Sequence, residues 1–119
     1  KVLCFPVSAD SIPTKSNQED HVSMATTAAR KARTVIANVQ KILGIECLCA
    51  CQAISLASPS LEGFQLGRGT EAVYESFRSR IPATKEDRYI HQQMELAIEM
   101  LKSNFLAKAA EKAISFNLG

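Results

Sequence analysis

The sequence predicts an all-α fold in which one long helix, over about residues 20–56, is followed by shorter helices. Apolar or small residues recur at steps of three and four through residues 25–43, which is the spacing of one helical stripe. Proline and glycine bound the shorter helical patterns that follow. Strand-like character is confined to residues 1–5. We therefore expect a helical protein without a sheet.

Composition limits the classes of partner. The chain has 119 residues, 46% of them hydrophobic and 22% charged, which is typical of one globular domain. Its net charge of +2 is too small to argue for nucleic acid or an anionic membrane. The most apolar zone, residues 42–56, is interrupted by Glu46, Gln52 and Ser55, so we expect no membrane span. The chain opens at Lys1 with no leader segment, and we expect it to be part of a longer protein.

Residues 1–24 are predicted to be an irregular region that leads into the long helix. Pro6 and Pro13 interrupt regular structure, and turn-forming residues are frequent around them. The region ends in a dense run of hydrogen-bonding side chains, Asn17-Gln18-Glu19-Asp20-His21. Such a cluster is costly to bury unless its groups are paired. It is therefore either the cap of a helix or the lining of a site.

The residues of this polar run suit either a structural role at a helix start or a functional role in a site. Asn17 or Asp20 suits a helix N-cap, and acidic residues are favoured there by the helix dipole. Glu19 suits a general base, a ligand-binding carboxylate or a helix N-terminal acid. His21 either titrates near neutral pH or is a structural imidazole. The residue types alone leave both interpretations open.

The long helix changes character along its length. Residues 25–57 form the predicted bundle helix, and their second half is apolar on nearly every side. A helix that is hydrophobic all round has to be surrounded. Because the remaining helices are too few to surround it, we expect a larger bundle, completed by further chain, by other subunits of a homo-oligomer, or by both.

The remaining elements are predicted from breakers and capping residues. Ser58-Pro59-Ser60 should end the long helix, and glycines at 63, 67 and 69 indicate a loop. Thr70 is expected to cap a helix that Pro82 ends, and Thr84 to cap the next one. That helix should break near residues 103–104, before a last helix over 105–114. Residues 70–116 are thus expected to be peripheral helices.

The cysteines do not predict a metal site. Cys47, Cys49 and Cys51 form a C-x-C-x-C pattern, and on a helix only Cys47 and Cys51 share a face. A zinc site needs about four converging ligands, and both histidines are distant in sequence. We interpret these cysteines, with Cys4, as small buried apolar residues in a reducing cytosol.

Two stretches resemble the histidine ammonia-lyases of the aromatic amino acid ammonia-lyase family. They are PVSADSIPT at residues 6–14 and NQEDHVSM at residues 17–24. The similarity continues through residues 28–30 and 43–53, so it is specific over about residues 4–55. Lys15 stands where this family is expected to have a small residue.

The resemblance implies a fold and an activity. It implies an all-helical, cytoplasmic homotetramer around a central helical bundle, which converts L-histidine to trans-urocanate and ammonia without metal or nucleotide. The electrophile implied is 4-methylideneimidazole-5-one, made from an internal Ala-Ser-Gly tripeptide. These 119 residues contain no Ala-Ser-Gly. We therefore expect a carboxy-terminal fragment that has no lyase activity by itself.

The resemblance also implies roles for the polar run. The residue that matches Glu19 faces the substrate imidazole, so Glu19 is the expected catalytic and substrate-binding carboxylate. Gln18 is expected to bind substrate or to support the pocket. Asn17, Asp20 and His21 are expected behind them, as supporting groups or helix caps.

Two alternatives stay open. The first is a related tyrosine or phenylalanine ammonia-lyase or aminomutase. Those relatives tend to have an amide where Glu19 stands, because a phenyl ring offers no basic nitrogen to a carboxylate. The second is a non-catalytic helical interaction module that kept the sequence and lost the chemistry. The implied substrate tyrosine and arginine lie outside this segment, and Tyr74 and Tyr89 match neither.

Overall fold

The computed structural model describes residues 1–57, 60, 63 and 65–115, and over these residues the protein is all-α. Its helices are α1 (Ala25–Ala57), α2 (Arg68–Arg80), α3 (His91–Lys102) and α4 (Phe105–Ile114). Short 3-10 turns precede them at Val2–Cys4 and Val7–Ala9. The strand-like residues 1–5 form the first of these turns, closed by the Cys4 N–H and the Lys1 carbonyl at 2.9 Å. The predicted all-α fold is confirmed.

The long helix begins later than predicted. Its first residue is Ala25, five positions after Asp20, and the Met24 carbonyl accepts the hydrogen bond of the Ala28 N–H at 2.9 Å. The side chain that serves the helix start is that of Ser23, whose Oγ accepts from the Ala25 N–H at 3.3 Å. The helix ends at Ala57, and its predicted terminators Ser58 and Pro59 lie outside the described residues.

The chain divides into two compact units inside α1. The first unit is Lys1–Val39 and the second is Gln40–Gly119. The first unit contains the irregular segment and the beginning of α1, and none of its described residues is fully buried. The buried hydrophobic residues all belong to the second unit: Cys51, Phe77, Ile81, Ala97, Ile98, Met100 and Leu106.

The core of the second unit is built where α2 and α3 pack with α4. Phe77, Ile81 and Met100 are at most 1% exposed, and Cys51 from α1 reaches the same cluster. Burying side chains of this size contributes about 1.5–3 kcal/mol each before the entropy cost is counted. This core holds the second half of α1 against the later helices.

Two predicted caps are wrong, and one predicted break is confirmed. Helix α2 starts at Arg68 after Gly67, so Thr70 lies inside its first turn. Residues 84–90 are not helical, and the Thr84 hydroxyl instead donates to the Glu86 carbonyl at 2.9 Å. That local bond competes with helix formation, as threonine side chains often do. Asn104, with a left-handed φ of 57°, separates α3 from α4 as expected.

Gly44 lies against Ile98 of α3. A Cβ atom at this position would lie 2.6 Å from Ile98 Cγ1 and 3.2 Å from the Ile98 Cα atom, so any larger residue would force Ile98 to shift. The sequence pattern showed Gly44 only as a weak point in a helix, whereas in the structure it is the contact point of two helices.

A half-buried polar network joins α1 to α2 and to the segment that follows α2. The Arg78 guanidinium donates to Ser55 Oγ at 2.8 Å, and the Gln52 amide donates to the Thr84 carbonyl at 2.6 Å. The Tyr74 hydroxyl hydrogen-bonds Ser55 Oγ at 2.8 Å. Since buried polar groups have to be paired, this network fixes the second half of α1 against α2.

Helix α1 keeps an apolar surface exposed in both units. In the first unit Val35, Ile36 and Val39 are between 39% and 58% exposed. In the second unit Ile42 and Leu56 are each 62% exposed. By length and composition alone α1 is also apolar enough to cross a membrane, which is weak evidence because core helices of soluble proteins have the same character. Exposed apolar surface of this extent is typical of an interface.

Candidate active site

The polar run lies on a closed loop, residues 11–22, in the first unit. At the base of this loop Ser11 Oγ accepts from the Val22 N–H at 2.9 Å. The Ser11 hydroxyl can return a bond to the Val22 carbonyl at 3.4 Å. Near the tip, the Thr14 N–H donates to the Glu19 carbonyl at 2.9 Å and the Glu19 N–H donates to the Thr14 carbonyl at 3.4 Å. These two pairs make the loop a defined structure that leads into α1.

The tip of the loop is a tight turn with left-handed backbone. Lys15, Ser16 and Asn17 have φ values of 48°, 56° and 63°. This region is unfavourable for most side chains, and asparagine tolerates it best. The penalty comes from the Cβ atom, so Lys15 and Ser16 both bear it and only glycine would avoid it.

Glu19 presents an exposed carboxylate that one neighbour holds in place. Its Oε2 atom accepts a hydrogen bond from Thr14 Oγ1 at 2.8 Å. Among the described residues no donor reaches its other oxygen, Oε1, which faces solvent in this chain. The arrangement leaves one oriented oxygen free to accept a hydrogen bond from a ligand.

The other residues of the polar run are separated by the turn. Asn17, Gln18 and Asp20 are exposed, and the Gln18 N–H donates to the Lys15 carbonyl at 3.1 Å. Neither Asn17 nor Asp20 caps α1, because the loop places them five or more residues before its first turn at Ala25. The expected cap role of these two residues is therefore wrong, and their backbone shapes the loop instead.

His21 lines an open cleft at the start of α1. The cleft has a volume of about 500 Å³ and is also lined by Asp10, Ser11 and residues 22–25. Glu19 is not part of this lining, so the structure does not bring Glu19 and His21 to one surface of the cleft. His21 does not cap the helix, since Ser23 supplies the side-chain oxygen there.

The cysteines are free and do not converge with other ligands. Cys51 is buried and Cys47 partly buried, whereas Cys4 and Cys49 are exposed, so the prediction of burial is wrong for the last two. Burial and the neighbouring Cys51 raise the pKa of Cys47 to about 11, so its thiol is protonated and a poor nucleophile at neutral pH. In the part of the chain that the structure describes, no three His, Cys, Asp or Glu side chains form a metal-binding group.

Thr14 was not among the residues predicted for the site. A partial signal was present, because the turn formers Ser16 and Asn17 lie in the four residues between Thr14 and Glu19, and a turn of that length pairs the residues that flank it. Neither tyrosine belongs to this loop. Tyr74 takes part in the Arg78 network, and Tyr89 is exposed beside His91, with 6.0 Å between ring centroids.

Comparison with known proteins identifies the relatives of this loop and helix. Residues 1–79 match the family model described as aromatic amino acid lyase. The histidine ammonia-lyase of Symbiobacterium thermophilum is 47% identical over 93% of this chain and 21% of its own length. That of Caenorhabditis elegans is 44% identical over 92% of this chain and 16% of its own length.

Solved structures agree with this result. The histidine ammonia-lyase of Trypanosoma cruzi has a TM-score of 0.83 and 39% identity, over 96% of this chain and 22% of its own. The tyrosine aminomutase of Streptomyces globisporus also has a TM-score of 0.83, with 32% identity over 96% of this chain and 21% of its own. The chain spans about a fifth of the length of these relatives. Because the family model covers more than half of its residues, the chain belongs to the aromatic amino acid lyase family.

Proposed function

We propose that the chain is the carboxy-terminal part of a histidine ammonia-lyase, which eliminates ammonia from L-histidine to give trans-urocanate. The observation that carries this proposal is the oriented carboxylate of Glu19, with Oε2 held by Thr14 and Oε1 free. The relatives named as histidine ammonia-lyases support it, at 39–47% identity.

Glu19 is suited to the histidine side chain in particular. An imidazole ring offers an N–H donor and a basic nitrogen, and a carboxylate accepts from the first and stabilises the protonated form of the second. Elimination changes the charge on the substrate, so a fixed carboxylate beside the ring lowers the energy of the charged transition state. Gln18 lies next to Glu19 on the same turn and would support the pocket in the assembled enzyme.

These residues supply one wall of the site. The electrophile implied by the family, 4-methylideneimidazole-5-one, forms from Ala-Ser-Gly, and no such tripeptide occurs in the 119 residues. The residues of this chain therefore do not form that group, and we place its formation elsewhere in the protein. The exposed apolar face of α1 supports burial of this helix in an interface. We propose that this interface is the central bundle of the cytoplasmic homotetramer that the resemblance implies.

The alternative substrate class has one observation in its favour. The tyrosine aminomutase of Streptomyces globisporus matches the fold as well as the Trypanosoma cruzi enzyme does, with equal TM-scores of 0.83. Identity is lower for the aminomutase, at 32% against 39%. A phenol or phenyl ring gives a carboxylate no basic nitrogen to pair with, so Glu19 favours histidine.

The activity of the chain by itself is the test of its place in the enzyme. We expect the purified 119-residue chain to release no urocanate from L-histidine, because it lacks the electrophile. The full-length protein that contains it should release urocanate, followed by ultraviolet absorbance. Urocanate from the chain alone would contradict the fragment assignment, and its absence from both preparations would contradict the proposed activity or favour a non-catalytic module.

A further inference from the structure

Thr14 contacts Glu19 through both its backbone and its side chain. The two residues exchange backbone hydrogen bonds at 2.9 and 3.4 Å, and the Thr14 hydroxyl donates to Glu19 Oε2 at 2.8 Å. The left-handed turn at residues 15–17 returns the chain so that the two residues face each other. One residue thus fixes both the place of Glu19 on the loop and the direction of its carboxylate.

We propose that Thr14 is a positioning residue that presents Glu19 Oε1 to the substrate ring, an inference that rests on the proposed function. An exposed glutamate has three rotatable side-chain bonds, and holding it in one geometry costs conformational entropy. The hydrogen bond from the Thr14 hydroxyl restricts the Glu19 side chain in the free enzyme, so less conformational entropy is lost when substrate binds. Reacting and binding groups held in place in advance accelerate a reaction without any new contact to the substrate.

The same contact determines which kind of hydrogen-bonding group faces the ligand. A threonine hydroxyl can donate to a carboxylate oxygen or, more weakly, to an amide oxygen. With Glu19 present, the oxygen that remains free is an acceptor, which suits an imidazole N–H. With glutamine at this position, the hydroxyl would hold the amide oxygen and direct the amide NH₂ group outward, as a donor. The residue at position 19 therefore decides whether an acceptor or a donor faces the ligand, and Thr14 fixes the orientation of that group.

The test uses the full-length protein and a small set of variants. Thr14→Val keeps the shape and removes the hydroxyl, Thr14→Ser restores the hydroxyl, and Thr70→Val is a matched control at an exposed site on α2. Each is prepared with Glu19 and with Glu19→Gln. The measurements are kcat and KM for L-histidine, with the thermal midpoint of unfolding as a check on the fold.

We expect Thr14→Val to lower kcat/KM about tenfold, the low end for a hydrogen bond to a charged group, because Glu19 is exposed and Thr14 only partly buried. Thr14→Ser should stay within about twofold of the parent, and so should Thr70→Val. In the Glu19→Gln background, Thr14→Val should not lower kcat/KM further, because without the hydroxyl the amide is free to turn its oxygen toward the ring.

The outcomes separate this proposal from the proposed function. A Thr14→Val enzyme within about twofold of the parent, while Glu19→Gln is strongly impaired, overturns the role of Thr14 alone. An equal loss in both backgrounds also overturns it, because Thr14 would then act on the fold of the loop. If Glu19→Gln leaves histidine turnover unchanged, the role of Glu19 fails and that of Thr14 with it, whereas the proposed function fails only if the full-length protein releases no urocanate from L-histidine.

Discussion

Replacing Glu19 by glutamine in the full-length protein is expected to lower kcat/KM for L-histidine by about a hundredfold or more, the order found for removing one oriented charge-stabilising group. The substitution keeps the size of the side chain and removes its charge. Because the Thr14 hydroxyl bonds Oε2 at 2.8 Å, it would hold the amide oxygen in the variant and leave the NH₂ group facing the ring. A donor would then meet a donor, and a protonated imidazole would have no counter-charge.

The matched control is Glu75→Gln, which makes the same chemical change at an exposed position on α2. It should leave kcat and KM within about twofold of the parent, as surface substitutions usually do. Steady-state kinetics on both variants, with urocanate absorbance as the signal, give the comparison. Equal kinetics for Glu19→Gln and the parent enzyme would remove the argument that Glu19 selects histidine.

Replacing Gly44 by valine is expected to lower the free energy of unfolding by about 1–3 kcal/mol, the usual cost of overpacking a core. A Cβ atom alone would approach Ile98 Cγ1 to 2.6 Å and the Ile98 backbone N and Cα atoms to 3.2 Å. A side chain can rotate away, but the backbone of α3 cannot move without disturbing the core below it. The gain in helix propensity over glycine is a few tenths of a kcal/mol and does not offset this cost.

Urea unfolding of the 119-residue chain, followed by circular dichroism, measures the effect. Ala53→Val is the control, since Ala53 is exposed on the same helix, and it should cost no more than about 0.6 kcal/mol. Ile98→Ala removes the Cγ1 atom that the new side chain would meet. The loss in the double variant should therefore be smaller than the sum of the two single losses, and simple additivity would place the strain elsewhere.

The body of the long helix was predictable, and its first turn was not. Periodicity identified residues 25–57 because every turn of a half-exposed helix repeats the same spacing. The start was placed near Asp20 because Asn17, Glu19 and Asp20 are the residue types that cap helices. In the structure, residues 14–19 are used in a closed turn, and Ser23 serves the helix start instead. The same residue types are found at helix caps and in loops, so the sequence cannot separate the two roles until the hydrogen-bond partner across the loop is known.

The contacts that stabilise the second unit could not be predicted from the sequence, for a different reason. Gly44 reads as a weak point in a helix, and only the approach of Ile98 shows why glycine stands there. Arg78 reads as a surface charge, yet it donates to Ser55 and to the Ile81 carbonyl. The Gly44–Ile98 and Arg78–Ser55 contacts join residues far apart in sequence, which no local pattern encodes.

The main residue of the proposed site comes from the resemblance, and its role stays a prediction. The pattern NQEDHVSM identified Glu19, and the structure shows it as an exposed, oriented carboxylate. The prediction that Asn17 or Asp20 caps the helix is wrong, because helix α1 starts at Ala25. The hydrogen bond from Thr14 to Glu19 could be identified only from the structure, since it forms across the turn.

We propose above all that Glu19 belongs to a site for the imidazole of histidine. The most direct measurement is the kcat/KM of the full-length protein for L-histidine, L-tyrosine and L-phenylalanine under one set of conditions. We predict that L-histidine is the preferred substrate and that ammonia and urocanate appear in equal amounts. Faster turnover of L-tyrosine or L-phenylalanine than of L-histidine would contradict it.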